Sequence, residues 1–174
     1  MLLTSVTLSR EMPNLHQHMK NEESVGCVMI YEHVSDEDEQ QVWSNPKRKK
    51  EGDLFLLMQS PRGDWNFVKG HREYGESDEE TLRREVYEET GIRKLKILGF
   101  VGNIRYSFLD KAGQSIKKKV SFYLALSDTT EVTLSSEHIN FKWAEHRDAI
   151  GVLSFHQSIS ILNKAVKMKN GNRC

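Results

Sequence analysis

The 174-residue chain has the composition of an ordinary soluble globular protein, with 37% hydrophobic and 29% charged residues. This length favours a single domain. Basic and acidic residues number 25 each, so the formal net charge is +0, which argues against broad nucleic-acid binding through a basic surface field. No apolar run approaches the ~20 residues needed to span a bilayer.

The N-terminal residues 1–22 are polar after a short apolar stretch, and we predict a flexible tail ahead of one domain over residues 23–170. The apolar stretch is too short for a secretory signal peptide. Of the two cysteines, Cys27 lies in an apolar run and Cys174 is terminal, so no disulfide framework is indicated. A reducing, cytoplasmic location is the expectation.

Two strands are predicted ahead of residue 60. Residues 24–34 are β-branched and apolar, which favours a buried strand, and residues 53–59 predict a second one. Between them, residues 35–52 carry an acidic run and then a basic run, and we expect a surface loop. Residues 60–64 have the composition of a turn.

A helix is predicted over residues 78–90. Ser77 followed three residues later by Glu80 forms the pattern of a capping box, which places the start of the helix at about Asp78. Gly91 is suited to the left-handed conformation that ends a helix. Acidic residues in the first turn agree with the helix dipole.

The second half of the chain predicts a strand or strand pair over 95–106, a hairpin turn at 111–113 and a strand over 120–126. A short strand is predicted over 141–144. Residues 154–168 have the apolar spacing of an amphipathic helix. This outline of a mixed sheet with about two main helices predicts an α/β sandwich with helices on opposite faces.

Three glutamates in the predicted helix point to metal chemistry. Glu85, Glu88 and Glu89 are spaced i, i+3 and i+4, so their carboxylates lie on one face, where they repel one another unless a cation is present. Oxygen ligands select hard ions, which favours Mg²⁺, with Mn²⁺ as a substitute. Such a site suits hydrolysis at phosphorus, because metals neutralise phosphate charge and activate water.

Two further interactions are predicted around these carboxylates. Gly70 allows close backbone approach, and its carbonyl is a candidate additional metal ligand. Glu76 and Arg84 are candidates for an ion pair that orients the metal-binding glutamates. The alternative is a solvated acidic helix in which arginines and glutamates satisfy one another.

Residues 70–92, GHREYGESDEETLRREVYEETGI, match the Nudix box at its defining positions. The chain thus resembles the Nudix hydrolase superfamily. That resemblance implies an α/β/α sandwich with a mixed central sheet. It also implies Mg²⁺-dependent hydrolysis of nucleoside diphosphates linked to another group.

Two flanking stretches narrow the resemblance to diadenosine tetraphosphate hydrolases. Residues 65–71 resemble the W-x-x-P-K-G-H motif of that group, and residues 134–138 resemble its L-S-x-E-H motif, followed by aromatic-x-Trp. The similarity covers about residues 24–168. Val68 departs from the usual proline, and the insertion over 35–52 is a second departure.

The resemblance assigns roles to residues inside and beyond the box. It makes the three box glutamates metal ligands, with Glu85 or Glu89 activating water, and it makes Glu137 a further ligand or base. Lys69 and His71 would hold the polyphosphate. His138 would contact phosphate or cap its loop. The candidate catalytic residues are therefore Glu85, Glu88, Glu89, Arg84 and Glu137, and the candidate metal ligands are Gly70, Glu85, Glu88 and Glu89.

Base-stacking aromatics are expected at Tyr106, Phe122 and Tyr123, where the group places such residues. Phe122 and Tyr123 are adjacent on a strand and point to opposite faces, so only one of them can line the site. Core packing is the alternative for each. Residues 117–119 are three lysines that either attract polyphosphate or lie in a solvated hairpin.

The predicted function is asymmetric hydrolysis of diadenosine tetraphosphate to ATP and AMP. The alternatives are removal of pyrophosphate from RNA 5′ ends, hydrolysis of diphosphoinositol polyphosphates or modified nucleoside triphosphates, and a non-catalytic binding module. The predicted partner is a nucleotide substrate, with no membrane and no obligate nucleic acid. These patterns leave the oligomeric state open.

Overall fold

A computed structural model describes residues 20–32 and 52–171 of the chain. It contains seven strands and three helices within those ranges. In chain order they are β1 (Lys20–Tyr31), β2 (Leu54–Gln59), β3 (Trp65–Asn66), β4 (Val68–His71), α1 (Asp78–Thr90), β5 (Leu95–Leu109), β6 (Ser115–Ser127), β7 (Asn140–Glu145), α2 (His146–Val152) and α3 (His156–Gly171). None of these helices is both long enough and apolar enough to cross a membrane.

The central strand of the mixed sheet is β1. It runs parallel to β6 along its whole length, and its other edge pairs antiparallel with β4 and then with the start of β2. Strand β5 extends the sheet beyond β6, while β3 and β7 pair with β2. Strand β4 pairs with residues 24–27 in the middle of β1 and packs against the helix that follows it.

The side chains of β1 alternate between two cores, as the period of a strand requires. Val28 and Ile30 pack with Ile161 and Leu162 of α3 on one face. On the opposite face the packing partners are Val25, Cys27 and Met29 of β1 with Leu82 and Val86 of α1. The predicted α/β sandwich with helices on opposite faces is confirmed, and so is the burial of Cys27, whose surroundings raise the pKa of its thiol to about 12.

Helix α1 begins and ends as the sequence predicts. The Ser77 backbone N–H donates to the Glu80 carboxylate at 2.8 Å, and the Glu80 N–H donates back to the Ser77 hydroxyl at 3.3 Å. At the other end Gly91 takes φ = 75°, and its N–H donates to the Tyr87 carbonyl at 2.8 Å. Both ends of the helix are thus fixed by local hydrogen bonds.

Several boundaries differ from prediction. Strand β1 begins at Lys20, ahead of the predicted domain start, and β5 and β6 extend to a hairpin turn where Gly113 takes φ = 78°. Helix α2 was not predicted, because it has only seven residues and no side-chain cap. Residues 1–19 of the tail predicted over 1–22, residues 35–51 of the insertion predicted over 35–52, and Cys174 lie outside the described residues.

A buried lysine joins the two sides of the gap between residues 32 and 52. Lys169 of α3 is 4% exposed. Its Nζ forms an ion pair with Glu32 at 2.9 Å and a second one with Asp53. Tyr31 and Leu54 pair directly across β1 and β2. The two described ends of this gap therefore lie side by side.

Candidate active site

The closest approach between β4 and α1 is at Gly70. A Cβ on this residue would lie 1.7 Å from the Glu85 carboxyl carbon and 1.8 Å from one of its oxygens. Only glycine leaves room for the carboxylate there. The strand backbone thus holds Glu85 against the end of β4.

Arg84 is the centre of a charged network beside this contact. Its guanidinium donates to Glu76 at 2.7 Å and 2.9 Å, and to the His71 carbonyl at 2.9 Å. It also reaches Glu85 at 2.8 Å and Glu88 at 3.2 Å. The predicted ion pair with Glu76 is confirmed. The planar guanidinium of Arg84 thus links Glu76, in the loop before α1, to the glutamates on the helix.

This network sets the charge of its members. Arg84 hydrogen bonds lower the pKa of Glu76 to about 2, and the Glu76 carboxylate in turn raises the pKa of the guanidinium. Burial instead raises the pKa of Glu85, and Arg84 opposes that change. Glu76 is therefore a permanent anion that positions Arg84, whereas Glu85 is partly desolvated.

Glu89 is the most deeply buried carboxylate of the helix, with 4% exposure. Burial raises its pKa to about 8, partly offset by the charge and backbone N–H of Lys69. One of its oxygens, Oε2, is buried without a hydrogen-bond partner and lies 3.9 Å from Nδ1 of His138. That distance is too long for a hydrogen bond. A buried carboxylate with an unsatisfied oxygen is suited to a cation.

The donor set is compatible with Mg²⁺. Across residues 20–32 and 52–171, no three His, Cys, Asp or Glu side chains converge closely enough to hold an ion by themselves. Mg²⁺ ordinarily takes only one or two carboxylates and completes its shell with water and substrate phosphate. Glu85 and Glu89, both desolvated and mutually repulsive, supply that number.

A cleft of about 270 Å³ lies beside Glu85, and it brings together most of the predicted polar site residues, although Glu89 is not part of its lining. Its lining is Ser24, Lys69, Gly70, His71, Glu73, Arg84, Glu85, Glu88, Lys118 and Glu137. Glu137 is near enough to raise the pKa of both Glu85 and Glu89 by charge repulsion. The segment predicted from the second flanking motif thus faces the helix carboxylates.

Lys118 is the member of the lysine run that enters this cleft. Its side chain is 12% exposed, and its Nζ lies 3.1 Å from Nε2 of His71. Burial lowers the pKa of its ammonium. Nε2 of His71 also lies 2.9 Å from a carboxylate oxygen of Glu22. Lys118 and Lys69 are the two lysines on the walls of this cleft.

A second cavity, of about 500 Å³, shares Lys69 with the cleft and has a larger apolar share. Its walls are Met58, Ser60, Arg62, Asp64, Asn66, Phe67, Lys69, Ile104, Tyr106, His138, Phe155, Gln157 and Ser158. It therefore contains two predicted substrate residues, Tyr106 and His138. Burial lowers the pKa of His138, which favours the neutral imidazole.

Two predicted stacking residues do not line either cavity. Phe122 is 0% exposed and packs edge-on against Phe67, with ring centroids 5.8 Å apart. Tyr123 points to the opposite face, where its hydroxyl donates to Asp78 at 2.8 Å and its ring contacts Phe100. The alternation of the strand separates them as expected. Phe122 is part of the core, and Tyr123 packs at the N-terminus of α1.

The cavity walls also contain residues that sequence reasoning did not select. Ile104 and Phe155 supply apolar surface, and Arg62 supplies a cation. Phe155 lies just before α3, where the amphipathic pattern accounts only for core-facing residues. Ile104 is two residues before Tyr106 on β5, and that alternation was a signal that could have found it.

The chain belongs to the Nudix family. The family model described as the NUDIX domain matches residues 38–161. The fold and the position of the box helix agree with this membership. The protein is accordingly a Nudix hydrolase that acts on phosphoanhydride bonds.

Individual relatives are similar over most of the chain. An asymmetrical bis(5′-nucleosyl)-tetraphosphatase of Caenorhabditis elegans is 35% identical over 121 residues, which cover 67% of this chain and 86% of the relative. The Sus scrofa protein of the same name is 36% identical over 117 residues, covering 63% and 76%. A crystal structure of a C. elegans Ap4A hydrolase binary complex superimposes with a TM-score of 0.65 at 27% identity, covering 86% of this chain and 98% of that one.

Proposed function

We propose that this protein is a Mg²⁺-dependent hydrolase of diadenosine tetraphosphate that releases ATP and AMP. The observation that carries this proposal is the continuity of two sites. A cleft lined by Glu85, Glu88 and Glu137 shares Lys69 with a cavity of about 500 Å³, a volume suited to one nucleoside. Similarity to asymmetrical tetraphosphatases supports the choice of substrate.

In this proposal one nucleoside lies in the second cavity. Tyr106 and Phe155 offer aromatic surface for the base, and Phe67 forms part of the wall. Stacking on aromatic rings recognises a base through its π-face. The phosphates then run into the cleft past Lys69, which lines both spaces, and toward Lys118 and His71.

Glu85, Glu88, Glu89 and the Gly70 carbonyl would hold Mg²⁺ as a shared cluster, with one or two carboxylates to each ion, and Mn²⁺ would substitute for it. When bound, the ion would neutralise phosphate charge and acidify a coordinated water. Glu85 or Glu89 accepts the proton of the attacking water. The water oxygen forms a new bond to phosphorus, the bridging P–O bond breaks, and the two products leave as AMP and ATP.

The remaining side chains position these groups. Arg84, fixed by Glu76, holds Glu85 and Glu88 in place. Glu137 contributes a further carboxylate at the mouth of the cleft, as ligand or base. Retention of every box carboxylate argues against a non-catalytic binding module.

The test is product analysis in ¹⁸O-labelled water with Mg²⁺, with Mn²⁺ and with chelator. Diadenosine tetraphosphate would be compared with a triphosphorylated RNA oligomer. We expect ATP plus AMP, at a higher kcat/KM than for the RNA, and no turnover with chelator. A higher kcat/KM on the RNA, or an intact dinucleotide under conditions where a control hydrolase turns over, would reject the proposal.

A further inference from the structure

One face of β5 carries a row of apolar and aromatic side chains. The row continues beyond the cavity of about 500 Å³, which we call the nucleoside cavity. Ile104, Tyr106 and Phe108 alternate along the strand and so lie on the same face. Their partners across the antiparallel pair with β6 share that face. These partners are, in the same order, Val120, Lys118 and Ile116.

The residues on this face of β5 and β6 line two neighbouring spaces, the nucleoside cavity and the cleft of about 270 Å³, which we call the catalytic cleft. Ile104 and Tyr106 both line the nucleoside cavity. Lys118, directly opposite Tyr106, lines the catalytic cleft. Phe108 lies one pair further out, on the side away from the nucleoside cavity. From Tyr106 to Phe108 the strand covers about 7 Å, which is shorter than an extended bridge of four phosphates, so the bridge can join nucleosides at these two rings.

Phe108 presents an aromatic surface that is held in place. Its residue is 40% exposed, and Ile116 opposite it is buried, with 1% exposure. Its ring centroid lies 6.1 Å from that of Tyr106, and the rings are tilted by 34°. A base cannot fit between the two rings, because intercalation requires two contacts of about 3.5 Å each. The outer surface of Phe108 is therefore the one available to a ligand.

A dinucleoside tetraphosphate brings two nucleosides, and the cavity of about 500 Å³ is suited to one of them. In the proposed function the polyphosphate passes Lys118, which lines the cleft. The second nucleoside then emerges on the far side of this lysine. We propose that Phe108 is the stacking platform for that second nucleoside and makes the site selective for dinucleoside polyphosphates over mononucleotides. This inference rests on the proposed function.

The experiment compares ligands that differ only in the second nucleoside. The kcat/KM for diadenosine tetraphosphate and the inhibition constant of adenosine 5′-tetraphosphate are measured for the wild type, Phe108→Ser and Leu109→Ser. Leu109 is the matched control, because it is the next residue on the same hairpin, is 69% exposed and points to the other face. The oligomeric state of each protein is measured by sedimentation.

For Phe108→Ser we expect a fall of about tenfold in kcat/KM for diadenosine tetraphosphate, at the low end of base–aromatic stacking. The inhibition constant of adenosine 5′-tetraphosphate stays unchanged, and Leu109→Ser changes neither value. Equal losses for both ligands, no loss for either, the same loss in Leu109→Ser, or a change in oligomeric state would overturn the inference. A wild type that does not hydrolyse diadenosine tetraphosphate would instead reject the proposed function.

Discussion

Helix α1 carries two groups of acidic residues whose surroundings are opposite. Asp78, Glu79 and Glu80 lie in the first turn, exposed or half-buried, where the helix dipole and the Ser77 cap favour their charge. Glu85 and Glu89 lie in the second half, where burial raises the pKa of both carboxyls. The same residue type thus stabilises one end of the helix and strains the other.

One short helix therefore combines a stabilising segment with a chemically active one. The first turn begins the helix through local hydrogen bonds, which need no contact with the rest of the fold. The second half depends on tertiary neighbours, namely the backbone at Gly70, the Arg84 network and Lys69. We therefore expect substitutions in the two halves to affect different measurements.

The largest effect is expected for Glu89→Gln. Loss of this buried carboxylate removes a metal ligand or base and should lower kcat at least about 100-fold, with the fold retained. The matched control is Glu79→Gln, whose side chain is exposed and, within the described residues, forms its ion pair with Arg83. Steady-state kinetics with Mg²⁺ check both variants. An unchanged rate in Glu89→Gln would count against the assigned site.

Gly70→Ala tests the contact between β4 and α1. The new methyl group occupies the space of the Glu85 carboxylate, and the flexible glutamate gives way rather than the fold. We expect kcat to fall roughly 10- to 100-fold, as for a catalytic group displaced by about 1 Å, with little change in Tm. Gly151→Ala is the control, because no atom lies within 4 Å of its added methyl. A Gly70→Ala enzyme of normal rate would contradict the role of this contact.

Arg84→Lys separates charge from geometry. A lysine keeps the positive charge but cannot reach Glu76, the His71 carbonyl and Glu85 at once. We expect kcat to fall about tenfold. Arg83→Lys, one position earlier on the exposed side, should leave kcat unchanged. Steady-state kinetics of the two variants check this prediction. If Arg84→Lys were as active as Arg83→Lys, the positive charge of residue 84 would be sufficient and its geometry would not matter.

Ser77→Ala tests the stabilising half of the helix. Loss of the cap should lower the free energy of unfolding by about 1 kcal/mol, measured by chemical denaturation, with kcat unchanged. A fall in kcat without a fall in stability would show that the two halves are not separable.

The smallest effect is expected for Glu80→Gln, which keeps the reciprocal hydrogen bonds and removes the charge. Contacts with Ser77 lower the pKa of the Glu80 carboxyl in the folded state. Its charge therefore stabilises the fold above the ordinary glutamate pKa, and that contribution is lost as pH falls through the lowered value. We expect a slightly lower Tm for the variant at pH 7 and no difference in strong acid. A Tm difference independent of pH would disprove this origin.

Local patterns predicted α1, its caps and the Glu76–Arg84 pair because all of these depend on residues close in sequence. Local patterns could not predict which of Phe122 and Tyr123 faces the core, since either face of a strand can be the core face. Phe155 and Ile104 line the cavity only because α3 and β5 meet there. Helix α2 follows directly from β7 and has no signal of its own.

The ion pairs of Lys169 with Glu32 and Asp53 have a consequence for engineering. They hold Glu32 and Asp53 against the same residue of α3, so a chain segment that joins these two residues closes between ends that are already held together. Each doubling of a flexible loop costs only about 0.6 kcal/mol. This position is therefore a suitable insertion point for a reporter domain that leaves the hydrolase fold intact.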